Sequence, residues 1–259
     1  MDYYEAIRIR RSVRKYSMQP LAQEELDGLL AFTRKAIPYQ KEIKVEYQII
    51  TAEEKSERLR GMFAVKAPYY LLLFSEQKPE YLLNAGYLME QIVLYLTTHG
   101  IGTCSQGMLK TEEDPFPGKR LVYVTTVAFG MPAEPLSEGR GRRKRLPENT
   151  MVVSKEEPTE AVREAVRNAL LAPSGMNMQP WRIVVYKNRL HLFCHRGKLF
   201  RDVLSDMQLL DMGIFMATLK LAAEEKWLNV HYVWLESIAE KRLVQNEYVI
   251  TALLEETAF

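Results

Sequence analysis

Apolar positions along this chain alternate between helical and extended spacing. Residues 2–9, "DYYEAIRI", predict a short helix with Asp2 as its cap. Residues 22–36 place Leu26, Leu29, Leu30, Thr33 and, just beyond, Ile37 at amphipathic helical spacing. "VEYQIIT" (45–51) reads as a strand, followed by a polar helix and then "APYYLLLFSE" (67–76), an apolar run short enough for a buried strand. Residues 80–99 predict a long helix with Tyr87, Gln91, Leu94 and Tyr95 on one face, stopped by Gly100. "LVYVTTVAFG" (121–130) predicts a further strand, closed by Gly130 and Pro132.

After the polar stretch "AEPLSEGRGRRKRLPENT" the order begins again. "TEAVREAVRNALLA" (159–172) predicts a helix capped by Thr159, and "RIVVYKNRLHLFCHR" (182–196) two strands around the turn Lys187–Asn188. "LLDMGIFMATLKLAAEEKW" (209–227) predicts a long helix and "NVHYVWLE" (229–236) a strand. Pro38 and Pro173 each end a helix, an offset of 173 − 38 = 135. "LLNAGYLMEQIVLYLTTHGI" aligns on "LLDMGIFMATLKLAAEEKWL" with Gly86 on Gly213, an offset of 213 − 86 = 127. Both halves therefore read helix, strand, strand, long helix, strand. Such a repeat suggests an α+β protein of two similar halves, 1–150 and 151–259, about a pseudo-twofold axis. Helix–strand alternation recurring without ancestry would give the same outline.

Composition narrows the function classes. The 259 residues are 47% hydrophobic and 26% charged, ordinary for a globular chain with a sizeable core. A net charge of +2 gives no global reason for nucleic-acid or membrane binding, so any basic site must be local. Cys104 and Cys194 have neither the number nor the spacing for a disulfide framework or a zinc cage. No run approaches a membrane span and no secretory n-region opens the chain, so a reduced cytoplasm is the expected compartment.

Two motifs carry candidate chemistry. "RIRRSVRKY" puts Arg8, Arg10, Arg11 and Arg14 around Ser12 directly after a helix, a donor set suited to a phosphate monoester, or a solvated charged turn. A second basic cluster, "GRGRRKRL" (139–146), contains Arg140, Arg142, Arg143, Lys144 and Arg145. "APSGMNMQPW" (172–181) stops a helix at Pro173 and offers a bare backbone at Ser174–Gly175. It also carries Asn177, which can donate and accept at once to a ring bearing imide groups. Trp181 fits a core position better than a ligand contact. His99, His191, His195 and His231 are scattered, and Cys104 reads as a small buried thiol.

"RRSVRKY", "APSGMNMQPW", "HGIGTCSQGML" and "VAFGMP" followed by an Arg-rich loop together resemble the FMN-dependent nitroreductases. In that family the proline–asparagine motif closely follows the arginine motif, and FMN is held at a homodimer interface by both chains. Here "AIPYQKEIKVEYQ" (36–48) occupies the early position without the asparagine, and the full motif comes only in the second half. The chain thus looks like a single-chain, internally duplicated member: a nitroreductase-like fold with antiparallel-rich central sheets flanked by helices. The resemblance implies FMN as cofactor, one complete site per chain, and a monomer acting as a pseudo-dimer, with further dimerisation open.

By the same resemblance, Arg10, Ser12 and Arg14, with Arg11 beside them, would hold the FMN phosphate and ring edge. Arg143 and Arg145 match the family's C-terminal basic pair. Pro173, Ser174, Gly175 and Asn177 would line the ring and ribityl chain, and Gln106 and Gly107 would offer backbone contacts beside flavin N5. The implied activity is ping-pong transfer of hydride from NAD(P)H through the flavin to a nitroaromatic, quinone-like or related small-molecule acceptor, with no side-chain nucleophile, metal, nucleic acid or membrane. Dehalogenation, flavin fragmentation, azoline oxidation and a non-catalytic FMN sensor are the alternatives.

Overall fold

The apolar run at 69–76 becomes the interior strand of a sheet and is buried along nearly its whole length. A computed structural model of the chain describes residues 1–62, 64–137, 144–196, 205–241, 243 and 245–257. They form two compact units, Met1–Arg142 and Arg143–Phe259. The division assigns 143–150 to the second unit, where Arg145 and Leu146 bond to Leu171, Asn177 and Gln179. The sequence repeat places that segment with the first half, 1–150.

In the first unit α1 (Tyr3–Ile9) and α2 (Gln23–Lys35) precede β1 (Val45–Thr51), α3 (Ala52–Arg58) and β2 (Arg60–Gly61). Then follow β3 (Tyr69–Glu76), α4 (Tyr81–Thr98), β4 (Gly102–Ser105), β5 (Leu109–Lys110) and β6 (Leu121–Gly130). The sheet runs β1-β3-β6-β4, antiparallel throughout, and β2 pairs with β5 apart from it. Tyr70, Leu72 and Phe74 pack with Ile50, Leu59, Leu109 and Ala128 on one side. α4, buried on most of its circumference rather than on one stripe, contacts α1, α2, β3 and β4. Ile37 lies beyond the end of α2 and is exposed, so it does not join that helix's apolar face.

The second unit contains α5 (Glu148–Met151), β7 (Val152–Ser154), α6 (Glu160–Ala169), β8 (Trp181–Val185) and β9 (Arg189–His195). It continues with α7 (Ser205–Glu224), β10 (Leu228–Val233), α8 (Glu236–Ala239) and β11 (Asn246–Glu256). Its sheet runs β10-β11-β9-β8-β7, with β7 the parallel edge. Trp181 is fully buried and stacks on Phe215 of α7 at 5.1 Å between ring centroids, as the core reading expects. No helix among the described residues is long and apolar enough to cross a membrane.

Apart from β7, the two sheets have the same order: β1-β3-β6-β4 matches β8-β9-β11-β10. This corrects the strand correspondence read from sequence, which aligned 121–130 with 229–236. β6 answers to β11 instead, and β4 to β10. Neither β4 nor β11 stands out in the sequence pattern. "GTCS" carries too little β-forming side chain to stand out. "NEYVITALLEE" is buried through most of its middle, 248–254, and lacks a strict two-residue alternation.

The correspondence extends to detail. β6 bulges at Val124 between the pairs Leu73↔Thr125 and Phe74↔Tyr123, and β11 bulges at Val249 between Leu192↔Ile250 and Phe193↔Tyr248. Across these bulges Tyr123 bonds Thr126 at 2.8 Å and Tyr248 bonds Thr251 at 2.7 Å. Each tyrosine meets a phenylalanine edge to face, Phe74 at 5.8 Å and Phe193 at 5.7 Å.

Candidate functional site

α1 ends at Arg10, whose N–H still donates to Ala6 O while its own backbone turns extended. The chain then runs beside β4: Ser12 forms a parallel bridge to Thr103, and Val13 N–H donates to Thr103 O at 2.8 Å. Gly102 permits this approach, because a Cβ there would lie 2.7 Å from Val13 Cγ2. Arg11 Nη2 donates to Glu134 O at 3.0 Å, yet its Nε is buried without a hydrogen-bond partner. Arg14 is exposed, with Nη1 donating to Ser12 O at 3.2 Å. The arginine motif is therefore a pinned extended segment with guanidiniums on either side of Ser12.

β4 leads directly to Gln106 and Gly107. Gln106 is buried and fully engaged. Its N–H donates to Thr126 O, its carbonyl accepts from Leu109, its Oε1 accepts from Val65 N–H, and its Nε2 reaches Cys104 O and Ser105 O. The backbone contact expected of Gln106 is thus already spent on loop closure, while Gly107 is exposed. Buried Cys104 directs Sγ to Ser105 O.

The second motif folds as a strained turn. After Pro173 and an extended Ser174, one 3-10 turn spans Gly175–Asn177. Met176, Asn177 and Gln179 adopt φ of 51°, 59° and 49°, left-handed conformations that cost about 1 kcal/mol or more each in a non-glycine residue. Residues 36–44, the matching stretch of the first unit, contain no positive φ. Side chains brace the turn: Ser174 Oγ accepts from Gln179 N–H, and Gln179 Nε2 donates to Asn177 O.

The basic segment is stitched to the turn from outside. Arg145 Nη1 donates to Asn177 Oδ1 at 3.3 Å and its Nη2 to Leu171 O at 2.6 Å. Asn177 Nδ2 donates to Lys144 O, and Leu146 N–H to Gln179 Oε1. Of the expected basic pair, Arg145 is at the turn. Arg143, with Arg140 and Arg142, lies outside the described residues. Gly175 differs from its expectation: its bare Cα faces α7, where an added Cβ would meet Met207 Sδ at 2.1 Å. The Met207 side chain of α7 thus packs into the space that glycine leaves.

Asp211 of α7 was not anticipated. Its carboxylate is buried and accepts Gly175 N–H on Oδ1 at 2.9 Å and Oδ2 at 3.0 Å. Burial pushes its pKa up to about 8, against the opposing pull of the Gly175 bond. The offset of 127 that aligns the long helices places Asp211 on Asn84. Two of the histidines brace the second sheet: His191 bonds Thr251 Oγ1 with its pKa lowered, mainly by burial, and His195 bonds Asn246.

Residues 2–223 match the family described as "Putative TM nitroreductase". Among solved structures, a nitroreductase from Thermotoga maritima shares 22% identity at a TM-score of 0.64, covering 98% of this chain and 93% of that one. A nitroreductase from Exiguobacterium sibiricum in complex with FMN shares 17% identity at a TM-score of 0.44, covering 58% of this chain and 95% of that one. A nitroreductase family protein from Clostridium novyi shares 18% at 0.45, covering 52% and 87%. No curated protein matches. With the family match spanning all but the chain's last segment and the fold likeness extending over nearly its full length, this chain belongs to the nitroreductase family so described.

Proposed function

We propose that this protein is an FMN-dependent oxidoreductase that takes hydride from NAD(P)H and delivers it to an electron-poor small molecule, a nitroaromatic, quinone-like or related acceptor. The observation that carries this reading is the strained turn at 174–179. Three left-handed non-glycine residues, braced by Arg145 and Asp211, hold Ser174 and Asn177 in a conformation that the matching stretch of the first unit lacks. Backbone strain of this kind persists where a binding geometry demands it.

The residues suit the cofactor. Arg10, Arg11, Ser12 and Arg14 form a donor set for a phosphate monoester, and the buried Arg11 Nε has no acceptor of its own. Asn177 Oδ1 accepts from Arg145 and its Nδ2 donates to Lys144 O, which fixes the amide's orientation while a carboxamide still carries one further lone pair and one further N–H. When bound, FMN supplies the hydride-carrying chemistry at N5. The chain's part is to neutralise the phosphate with arginines, orient the ring-side turn and offer Gly107 as exposed backbone. No side chain of the described residues is required as nucleophile. We further propose two nitroreductase-like halves descended from a duplication. The shared sheet order and matched bulges support this reading.

Anaerobic titration tests the reading. The FMN-loaded protein should bleach on adding NADH or NADPH and recover its yellow colour on adding a nitroaromatic or quinone. Arg14→Ala and Asn177→Ala should each lower FMN occupancy about tenfold, although they lie in different units. Bound FMN that stays oxidised with both donors would refute the activity, and a loss confined to one variant would refute the joint requirement.

A further inference from the structure

We propose that Asp211 is the positioning residue of the ring-side turn, holding Gly175 as Asn84 holds Gln40 in the first unit. The proposal rests on the FMN reading for its consequence and on hydrogen-bond geometry for its substance. Asn84 of α4 is fully buried, and its Oδ1 accepts Gln40 N–H at 2.9 Å. Asp211 of α7 is equally sequestered, and both its oxygens accept Gly175 N–H. The two ties correspond under offsets set by other residues. Gln40 and Gly175 are separated by the 135 positions that separate Pro38 from Pro173, and Asn84 and Asp211 by the 127 that separate Gly86 from Gly213.

Around the shared tie the two turns differ. In the first unit polar side chains of α4 and its cap take up the turn. Gln91 clamps both the N–H and the carbonyl of Ile37, while Tyr39 and Gln40 bond Glu80. Asn84 Nδ2 is left buried without a partner. In the second unit Met207 and Thr218 stand at the positions of Glu80 and Gln91, and Thr218 turns back onto Ile214 O of its own helix. Asp211 therefore ties a strained turn whose side chains Ser174 and Asn177 bond Gln179 N–H, Arg145 and Lys144 O.

A buried carboxyl is costly for the fold. Its placement under Gly175, with both oxygens on that one N–H, points to control of the turn's position. A carboxyl group, protonated or ionised, or a carboxamide can perform this task, since each presents an acceptor to the N–H.

Two readouts decide the matter: hydrogen exchange of the Gly175 amide without ligand, and FMN affinity by fluorescence quenching. Asp211→Ala should speed Gly175 exchange and weaken FMN, each by about tenfold or more, as loss of a buried hydrogen bond implies. Asp211→Asn should restore both to near wild type. Asn84→Ala should speed exchange at Gln40 and leave FMN affinity unchanged. The proposal is overturned if Asp211→Ala leaves Gly175 protected, if FMN binds as tightly with that amide freed, or if Asp211→Asn is as defective as Asp211→Ala. Should Asp211→Ala fail to fold, slow Gly175 exchange in both wild type and Asp211→Asn supports the tie, and fast exchange in either overturns it. Wild-type protein that takes no FMN would sink the cofactor reading, while the exchange arm still judges the tie.

Discussion

Gly100 and Trp227 end the two long helices in the same way, and only one of them is suited to it. Both adopt positive φ, 75° and 57°, and their N–H groups bond Thr97 O and Glu224 O at 2.9 and 3.0 Å. Nothing lies within 4 Å of a Cβ built on Gly100, so Gly100→Ala isolates backbone strain and should destabilise by about 1 kcal/mol. Trp227 holds the same conformation with a bulky side chain at the strained position. Asp211 yields a pH prediction. Its carboxyl titrates near 8 in the folded chain against a reference of 3.8, so between those values the native state holds a proton that the unfolded chain has released. Its contribution to stability is full below the lower value and falls as pH rises through the upper one, by up to about 1.4 kcal/mol per pH unit. Between pH 5 and 8.5 the wild-type melting temperature should therefore fall more than that of Asp211→Asn. Buried Cys194, facing Asp211 from β9, is pushed up to about 12 and stays neutral across this range.

At the scale of elements the two central strands repeat one device. A bulge in β6 and in β11 sets a tyrosine three residues before a threonine, bringing their hydroxyls together and an aromatic ring against the neighbouring strand. The second copy carries more: Tyr248 Oη also accepts Leu235 N–H at 3.2 Å, and Thr251 bonds His191. Tyr248→Phe should therefore cost about 2 kcal/mol and Tyr123→Phe about 1 kcal/mol by chemical denaturation, since the former strands an additional donor. The periodic elements, β1, β3, α4, α6, β8, β9 and α7, were legible because each has a run of apolar residues at a defined period. β4 was not, because Gly102 is chosen for what it lets Val13 approach rather than for β-forming character. The role of β11 was hidden differently. Which strand lies beside β9 depends on long-range pairing, and no local period encodes it.

For the whole molecule, the loop at 37–40 bears on how many cofactors one chain holds. Its backbone is held by Asn84 and Gln91 and its polar side chains by Glu80, and it lacks the left-handed residues of the turn at 174–179 that we propose as the ring-side half of the site. The purified protein should accordingly release about one FMN per chain, counted by absorbance against protein. Two per chain, or none at saturating FMN, would contradict the proposed division of labour. By itself the sequence determined the family resemblance, the helix–strand alternation and the two motifs, "RRSVR" and "APSGMNMQPW". These depend on local spacing and on residue chemistry that survives without coordinates. The tertiary structure decided that Gln106 closes a loop, that Gly175 makes room for α7, that Arg145 orients Asn177, and that Asp211 holds the turn. Each of these joins residues distant in the chain, and a hydrogen bond or close approach across such a separation exists only once packing has brought the partners together.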